Sequence, residues 1–545
     1  MTKNYRHAKS SGSTVSRRSF ITGASLAVPL VAFGASSASA ATDNATRQRT
    51  ASLAPTPAGR ALRYSHPGLV HTLSDIERVS AQVKAGTQPW LGGWDRLVAN
   101  GRSGSGWQPR PVETVVRGGD GSNYGPLFAD IHAAYQNALR WRISGEAAHG
   151  AAAVRILNAW SGTLTTVTGN ADRFLAAGIY GYQFANAAEL VRDHPDFEFE
   201  RFRGMLLNIF HPMNEHFLTN HNGAVITNYW ANWDLCNMAS VLAIGIFADR
   251  DDLVDRAVTY FQSGAGNGSL PNAVPYVYED EGLAQWQESG RDQAHSIMGI
   301  GLMGAFCEMA WNQGIDCYGH DNNRFLKAAE YVAKYNLGHD VPFTPYTWQS
   351  GPLSTAAHAG WHTQTVPGEG GRGQGRPVWD QVLGHYSGRK GLSTPWVSQI
   401  AATLRPDGGG GDYGPNSGGY DALGFGTLMQ YRTLSPLTPT TPAPMQAGTV
   451  DTPAPMQAGA VDGTPPTQLA PAAPTVTAQP TPETTSSAPA HANGTIEQLA
   501  STGTGVLPAA AAGAALLALG GAALISSAIH SQGTPSVGEA PGVSE

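Results

Sequence analysis

The chain has 545 residues and a formal net charge of −7 at pH 7, which gives no reason to expect nucleic acid as a partner. Three cysteines are too few for a disulfide framework in a chain of this length. No Cys and His spacing in the sequence resembles a zinc site, so neither a metal nor another cofactor is predicted.

Residues 1–40 have the pattern of a secretory signal, which is removed and takes no part in the fold. The motif SRRSFI contains Arg17 and Arg18, an apolar stretch follows it, and the small residues Ala38-Ser39-Ala40 end the segment. This order predicts export of an already folded protein by the twin-arginine translocase. Residues 41–63 are predicted to form a linker.

Residues 64–432 show helical periodicity, and no convincing run of alternating residues indicates strands. Breaks at Gly, Asn and Pro separate the helical stretches. Short connections between successive helices are typical of antiparallel helix pairs, so an all-α fold is predicted. The predicted helices cover about 125–142, 146–160, 173–192, 200–217, 229–248, 253–262, 291–312, 323–336, 378–386 and 395–404.

Several connections in this region are long, and long loops in a helical domain are frequent sites of function. They span 220–227, 264–287, 340–376 and 405–424. They also contain many aromatic residues, which suit stacking against sugar rings and serve equally well as loop anchors; among them are Trp286, Trp348, Trp361, Tyr413 and Tyr420.

Beyond residue 432 the composition changes to Pro, Thr and Ala, which predicts a disordered stalk over 433–498. Within it TPAPMQAGTVD is repeated as TPAPMQAGAVD. The segment 499–545 opens with LASTG and contains an apolar stretch, 506–529, long enough to span a bilayer. This order resembles a sortase sorting signal, in which Thr502 and Gly503 flank the cleaved bond and peptidoglycan is the acceptor. Such signals normally end in Lys or Arg, which are missing here, so retention as a membrane anchor is the alternative. Sortase processing and retention as a membrane anchor would each attach the protein at the cell exterior.

The stretch ESGRDQAH, residues 288–295, precedes a small and apolar sequence typical of a buried helix. Arg291 and His295 are four residues apart, so a helix would place a cation beside a titratable imidazole. Glu288 is in reach of Arg291 or of a sugar hydroxyl. A helix-start ion pair and a core histidine are the alternative interpretation of these residues.

The second polar cluster is NYWANWD, residues 228–234, at the start of a predicted helix. Asn228 and Asn232 would share a face, with Trp230 and Trp233 beside them. A helix N-terminus offers free N–H groups and positive potential to an anion. Carboxamides, a guanidinium and an imidazole suit β-elimination on a uronic acid, because donors stabilise the charge that develops on the carboxylate and histidine can act as the base.

These motifs resemble those of the alginate lyase family of polysaccharide lyases over about residues 66–432. NGSLPN at 267–272, QESGRDQAH at 287–295 and NQGID at 312–316 carry most of the resemblance, and the glycine-rich block 407–426 is similar to the end of other bacterial members. The resemblance implies an (α/α) toroid or incomplete barrel and an acidic polysaccharide substrate.

The resemblance also implies roles for particular residues. Asn232 takes the place of the Asn that neutralises the substrate carboxylate, whereas Trp233 stands where the family has His. Arg291 and His295 fall near the family's catalytic Arg and Tyr, so Asn232, Arg291 and His295 are the predicted catalytic residues. The predicted substrate-binding residues are Glu288, Trp233, His221 and Tyr278.

Two other functions remain open from the sequence. Helical toroids also host glycoside hydrolases with paired carboxylates, for which the acids of YEDEG at 278–282 and Asp292 are candidates. A wall-attached binding protein without activity is the other alternative, because the family's Asn-His pair is incomplete at Trp233.

Overall fold

The structure is a computed structural model that describes residues 64–351, 359–413 and 420–433. The predicted signal (1–40), linker (41–63), sorting signal with Thr502 and Gly503, and apolar segment 506–529 lie outside the described residues. The predicted stalk lies outside them from residue 434 onward. Within the described ranges, no helix combines the length and the apolar character that crossing a membrane requires.

The described chain is mainly helical, and each of the ten predicted helices is present. Local signals set several of their ends: Thr72 and Asp75 form a reciprocal capping box at the first helix, and Gly145 adopts a left-handed conformation where α3 ends. The helices are α1 (Leu73–Lys84), α2 (Trp90–Ala99), α3 (Gly125–Ser144), α4 (Ala147–Thr163), α5 (173–189), α6 (199–220), α7 (Ala231–Phe247), α8 (Asp251–Ser263), α9 (Leu270–Ala273), α10 (Gln293–Asn312), α11 (His320–Asn336), α12 (379–389), α13 (Pro395–Leu404) and α14 (Gly426–Met429). Four of these helices, α1, α2, α9 and α14, have no counterpart among the predicted ones.

Three short strand pairs correct the expectation of no strands. β1 (Thr114–Val116) and β2 (Thr166–Thr168) are parallel, whereas β3 (Tyr276–Tyr278) pairs with β4 (Leu283–Gln285) in the antiparallel sense. β5 (Tyr346–Ser350) and β6 (Gly360–Gln364) form an antiparallel pair in the long connection between α11 and α12. Strands of three to five residues are too short to give a clear alternating pattern in the sequence.

Helices α7 and α10 form the centre of the core. Every residue of α7 is buried, and so is α10 from Ser296 to Ala310. This burial confirms the interpretation of α10 as a helix that is apolar almost all round. α7 packs against α5, α6, α8 and α10. Gly178 permits the close crossing of α5 and α7, since a Cβ there would lie 2.4 Å from the Cys236 sulfur.

Neighbouring helices in the sequence pack as pairs, namely α3 with α4, α7 with α8, α10 with α11, and α12 with α13. The end of the described chain returns to its beginning, where α14 packs against α1 and α2. Arg78 of α1 donates hydrogen bonds to the carbonyls of Met429 (2.7 Å) and Tyr431 (3.2 Å). Arg432 pairs with Asp75 of α1. Helix pairs are therefore confirmed, and the toroid itself stays a prediction.

Candidate active site

The candidate site lies where the loop before α10 meets the first turn of α7. Asp292 is the N-cap of α10: its backbone is extended, and its Oδ1 accepts a hydrogen bond of 2.7 Å from the backbone N–H of His295. The helix therefore begins at Gln293, and Arg291 lies in the preceding turn. This corrects the predicted start at Arg291, although the Arg291 and His295 side chains still meet.

The His295 imidazole is held at both ring nitrogens. Nδ1 lies 2.6 Å from Asp292 Oδ2, and Nε2 lies 3.2 Å from Arg291 Nη2. A guanidinium can only donate, so Nε2 accepts and the ring proton resides on Nδ1, directed at Asp292. About 20% of the His295 side chain is exposed to solvent.

Arg291 is fixed by acids on either side of it. Its Nη1 lies 2.7 Å from Glu288 Oε2 and its Nε lies 3.4 Å from Asp292 Oδ2. The guanidinium carbon also lies 5.2 Å from the Trp230 ring centroid, a cation–π geometry. Of the two roles that the sequence left open for Glu288, the structure therefore shows the pairing with Arg291.

Glu288 also joins this loop to α7. Its fully buried carboxylate accepts a hydrogen bond of 3.0 Å from the backbone N–H of Asn232, and Gln287 accepts one of 3.1 Å from Ala231. These bonds satisfy free N–H groups in the first turn of α7. The structure thus brings Asn232, Glu288, Arg291 and His295 into one network.

The Asn232 side chain itself is buried. Its Nδ2 lies 3.9 Å from Met298 Sδ, and its Oδ1 has no hydrogen-bond partner among the described residues. Asn228 does not share its helical face, contrary to the prediction, because α7 begins only at Ala231. Asn228 instead accepts a hydrogen bond of 2.8 Å from the backbone N–H of Gly351 after β5.

The other predicted substrate-binding residues lie apart from this network. Trp233 is buried against Phe217 and Tyr229. His221 is buried, and its Nε2 lies 2.8 Å from Asp234 Oδ1.

Tyr278 of β3 is half-buried, and its hydroxyl bonds to Gln285 (2.8 Å) and Thr344 (3.0 Å). The contacts of Trp233, His221 and Tyr278 are thus all with the scaffold.

Three residues beyond α11 complete the surroundings of His295. Arg376 is buried and donates a hydrogen bond of 2.6 Å from Nη1 to the carbonyl of Ala294, next to His295. Its Nη2 lies 3.2 Å from Asp421 Oδ2 and 3.0 Å from the Tyr413 hydroxyl. Asp421 also interacts electrostatically with His295. Tyr413 and Asp421 lie in the glycine-rich block 407–426 that is part of the family resemblance, although neither was a predicted site residue, and no local motif marks Arg376.

The environment separates the charge states of these groups. Burial alone would raise the pKa of Asp292, but its hydrogen bond and charge interaction with His295 and the nearby Arg291 lower it overall. Burial raises the pKa of Asp421, and Arg376 offsets part of that shift. Burial and the Asp421 carboxylate raise the pKa of Tyr413 by more than Arg376 lowers it, so its phenol stays protonated. Among the described residues, no group of three or more His, Cys, Asp or Glu side chains is arranged to hold a metal ion.

Part of this network lies in a region of the chain that matches a known protein family. Residues 117–341 match the alginate lyase family model. The matched region contains Asn232, Glu288, Arg291 and His295, whereas Arg376, Tyr413 and Asp421 lie beyond it. No curated protein matches the chain.

Solved alginate lyases are distant from this chain. Alginate lyase A1-III from Sphingomonas species A1 is 13% identical, with a TM-score of 0.42 over 70% of this chain and 100% of that chain. A variant of A1-III complexed with tetrasaccharide is 12% identical, with a TM-score of 0.44 over 70% and 99%. An alginate lyase from Bacteroides ovatus is 13% identical, with a TM-score of 0.35 over 50% and 83%. Structural similarity this distant says nothing about function.

Proposed function

We propose that this domain is a polysaccharide lyase that cleaves a uronic-acid polymer, of the alginate or glucuronan type, by β-elimination. The arrangement of His295 carries the proposal: Asp292 fixes its Nδ1, and its Nε2 lone pair faces Arg291 at the mouth of the site. This base lies inside the region that matches the alginate lyase family model.

Arg291 is the proposed receptor of the substrate carboxylate. The guanidinium already holds two acids, and a third carboxylate would draw Nη2 away from His295. That exchange would free the Nε2 lone pair for the C5 proton while the cation stabilises the charge developing on the substrate. Asn232 has the role that the resemblance implies, in which its Nδ2 donates a hydrogen bond to the same carboxylate.

The elimination then needs a base that removes the C5 proton and an acid that protonates O4. His295 Nε2 takes the C5 proton, the C–H electrons form the C4–C5 double bond, and the C4–O4 bond breaks. The Tyr413 phenol is the proposed donor to O4, because Arg376 and Asp421 hold it and it stays protonated. Solvent afterwards removes the proton from the imidazolium and reprotonates the phenolate.

Three of the four acids predicted for a hydrolase have other partners. Glu279 pairs with Lys327 at 2.8 Å and Glu281 lies 3.8 Å from Lys334, both on the surface of α11. Asp292 is bound to His295 and caps α10. These contacts favour elimination over hydrolysis with paired carboxylates.

The proposed setting is the cell exterior. The twin-arginine motif and the LASTG segment support export and attachment to the wall or membrane through the C-terminus. Sortase and peptidoglycan are the corresponding proposed partners.

The direct test is the ultraviolet absorbance of the conjugated double bond that elimination leaves and hydrolysis does not. The protein is incubated in turn with alginate, polymannuronate, polyguluronate, glucuronan and hyaluronan. We expect absorbance to grow with one of them and to fall by about 100-fold or more in His295→Ala, because the base is lost.

The matched control is His339→Ala, an exposed histidine just after α11 that is outside the network and should retain full activity. New reducing ends without absorbance would instead indicate a hydrolase. Binding of a polymer without any cleavage would favour the inactive binding protein.

A further inference from the structure

The β5–β6 hairpin has one face toward the candidate site and one face toward solvent. Its register pairs Trp348 with His362 and Gln349 with Trp361, and neighbouring positions alternate between the faces. The inward face is packed: Trp348 lies 4.8 Å from Trp230, the ring beneath Arg291, and stacks on His362 at 5.0 Å.

The hairpin is also fixed to the chain before α7. Thr227 Oγ1 donates a hydrogen bond of 2.7 Å to the carbonyl of Gln349. The backbone N–H of Val225 donates one of 2.6 Å to the carbonyl of Gly351. The hairpin is therefore held in place, and its inward face contacts Trp230, which lies beside Arg291.

The outward face presents an indole among polar groups. Trp361 is 72% exposed, the largest exposed fraction among the described large apolar side chains. Gln349 is its cross-strand partner, and the hydroxyls of Thr347 and Thr363 lie 2.9 Å apart on the same face. By contrast Trp286, another aromatic of the long loops, is fully buried.

A flat apolar surface bordered by hydroxyl and carboxamide groups matches the chemistry of a pyranose ring. The C–H face of such a ring can cover the indole, while its hydroxyl groups bond to Thr or Gln side chains. Tryptophan provides this contact area with little loss of conformational entropy, because only two side-chain torsions become ordered. A neutral ring face needs no charged partner, which suits a position away from the reacting carboxylate.

We propose that Trp361, with Thr347, Gln349 and Thr363, forms a subsite that stacks a sugar ring of the polymeric substrate beyond the ring that reacts at His295. The substrate class rests on the proposed function, whereas stacking of a sugar ring does not depend on cleavage. The subsite therefore acts on the affinity for long chains and leaves the chemical step unchanged.

The kinetic test compares the full chain with Trp361→Ala, Trp361→Tyr and the control Val366→Ala. Val366 is also highly exposed, at 65%, but has no ring to stack. Trp361→Ala should raise KM for the polymer by about 10-fold with kcat unchanged within about twofold, and should leave short oligosaccharides unaffected. Trp361→Tyr should recover most of the loss and Val366→Ala should match wild type. Equal KM values for wild type and Trp361→Ala would overturn the subsite.

A binding test separates this subsite from the lyase proposal. Retardation in gels containing each uncleaved polymer is measured for His295→Ala with and without Trp361→Ala, and thermal unfolding verifies that both fold. Retardation that depends on Trp361 supports the subsite even if the wild type produces no double bond, in which case only the lyase proposal fails. Equal retardation of the two variants, or none by any polymer, overturns the subsite.

Discussion

Asp292 links the start of a helix to the chemistry of the site. One carboxylate oxygen caps α10 at the His295 backbone N–H, and the other accepts the proton of the imidazole Nδ1. The residue that begins the helix is thus the one that fixes the tautomer of His295. Arg291, just before the cap, then faces the opposite ring nitrogen, so three neighbouring side chains set the direction of the basic lone pair.

Tyr413 is the residue on which the proposed proton donor can be tested. Tyr413→Phe keeps the ring and removes only the hydroxyl, so kcat should fall by about 100-fold or more with little change in KM. The shape of the pH profile should not change, because the raised pKa of Tyr413 keeps the phenol protonated throughout the assay range, so that only the height of the profile falls.

The matched control for the donor is Tyr335→Phe. The Tyr335 hydroxyl also bonds to a carboxylate, Glu369, and Arg372 lies 3.8 Å from the ring centroid, but this pair lies outside the site. Full activity of Tyr413→Phe, or equal losses in the two variants, would contradict the assignment.

At the level of single elements, the described parts of the glycine-rich segment, 407–413 and 420–424, bring Asp421 against the helices. Tyr182 of α5 donates a hydrogen bond of 2.6 Å to the carbonyl of Asp421, and Gln183 donates one of 2.6 Å to that of Tyr420. The segment passes so close to itself that a Cβ at Gly410 would lie 1.5 Å from the Ala422 carbonyl oxygen. Packing therefore requires a glycine at position 410.

Gly410→Ala should consequently displace the segment. We expect a loss of at least about 1 kcal/mol in the free energy of unfolding, as for an overpacked core, together with lower activity through Asp421 and Tyr413. Gly408→Ala is the control, since a Cβ there would have its nearest contact at an ordinary 3.4 Å from Asp412. Denaturant unfolding of the two variants provides the comparison, and equal midpoints would refute this account.

At the scale of the whole domain, buried acids tie the last segment to α12. Asp380 accepts hydrogen bonds from Arg405 at 2.5 Å and from the Thr427 hydroxyl at 2.8 Å. Asp407 accepts one of 2.8 Å from the Thr427 backbone N–H. Together with the Asp75–Arg432 pair, these bonds connect the end of the described chain to its helical body.

Asp407 makes stability depend on pH. Burial, with the charge of Asp380, raises its pKa from 3.8 to about 7. A raised carboxyl pKa means that the folded state binds the proton more tightly than the unfolded state. The contribution of Asp407 to the free energy of unfolding is therefore fully favourable at low pH. It declines as the pH rises from about 4 to 7 and is constant above that range.

Asp407→Asn should remove this decline, because a carboxamide does not titrate. As the pH rises from 4 to about 7, the variant should therefore become more stable relative to wild type, with a larger free energy of unfolding. Asp280→Asn, at an exposed acid, is the control for charge alone. A difference between Asp407→Asn and wild type that is independent of pH would contradict this prediction.

The helical class, the positions of the ten predicted helices and the contact among Glu288, Arg291 and His295 were all predictable from the sequence. These features depend on periodicity, on breaks at Gly and Pro, and on spacing within a turn or two, which are local properties of the chain. The short strands and the start of α7 at Ala231 depend on partners across the fold, so local pattern misplaced them.

The surroundings of His295 and the exposure of each aromatic side chain follow from the folded arrangement and could not be predicted locally. Arg376 and Asp421 reach the site from segments more than eighty residues further along the chain, without any spacing signal. Trp286 and Trp361 occur in similar loop sequences, yet one is fully buried and the other is 72% exposed. Burial and long-range electrostatics depend on the packed arrangement of all the helices, and hydrophobic periodicity does not encode that arrangement.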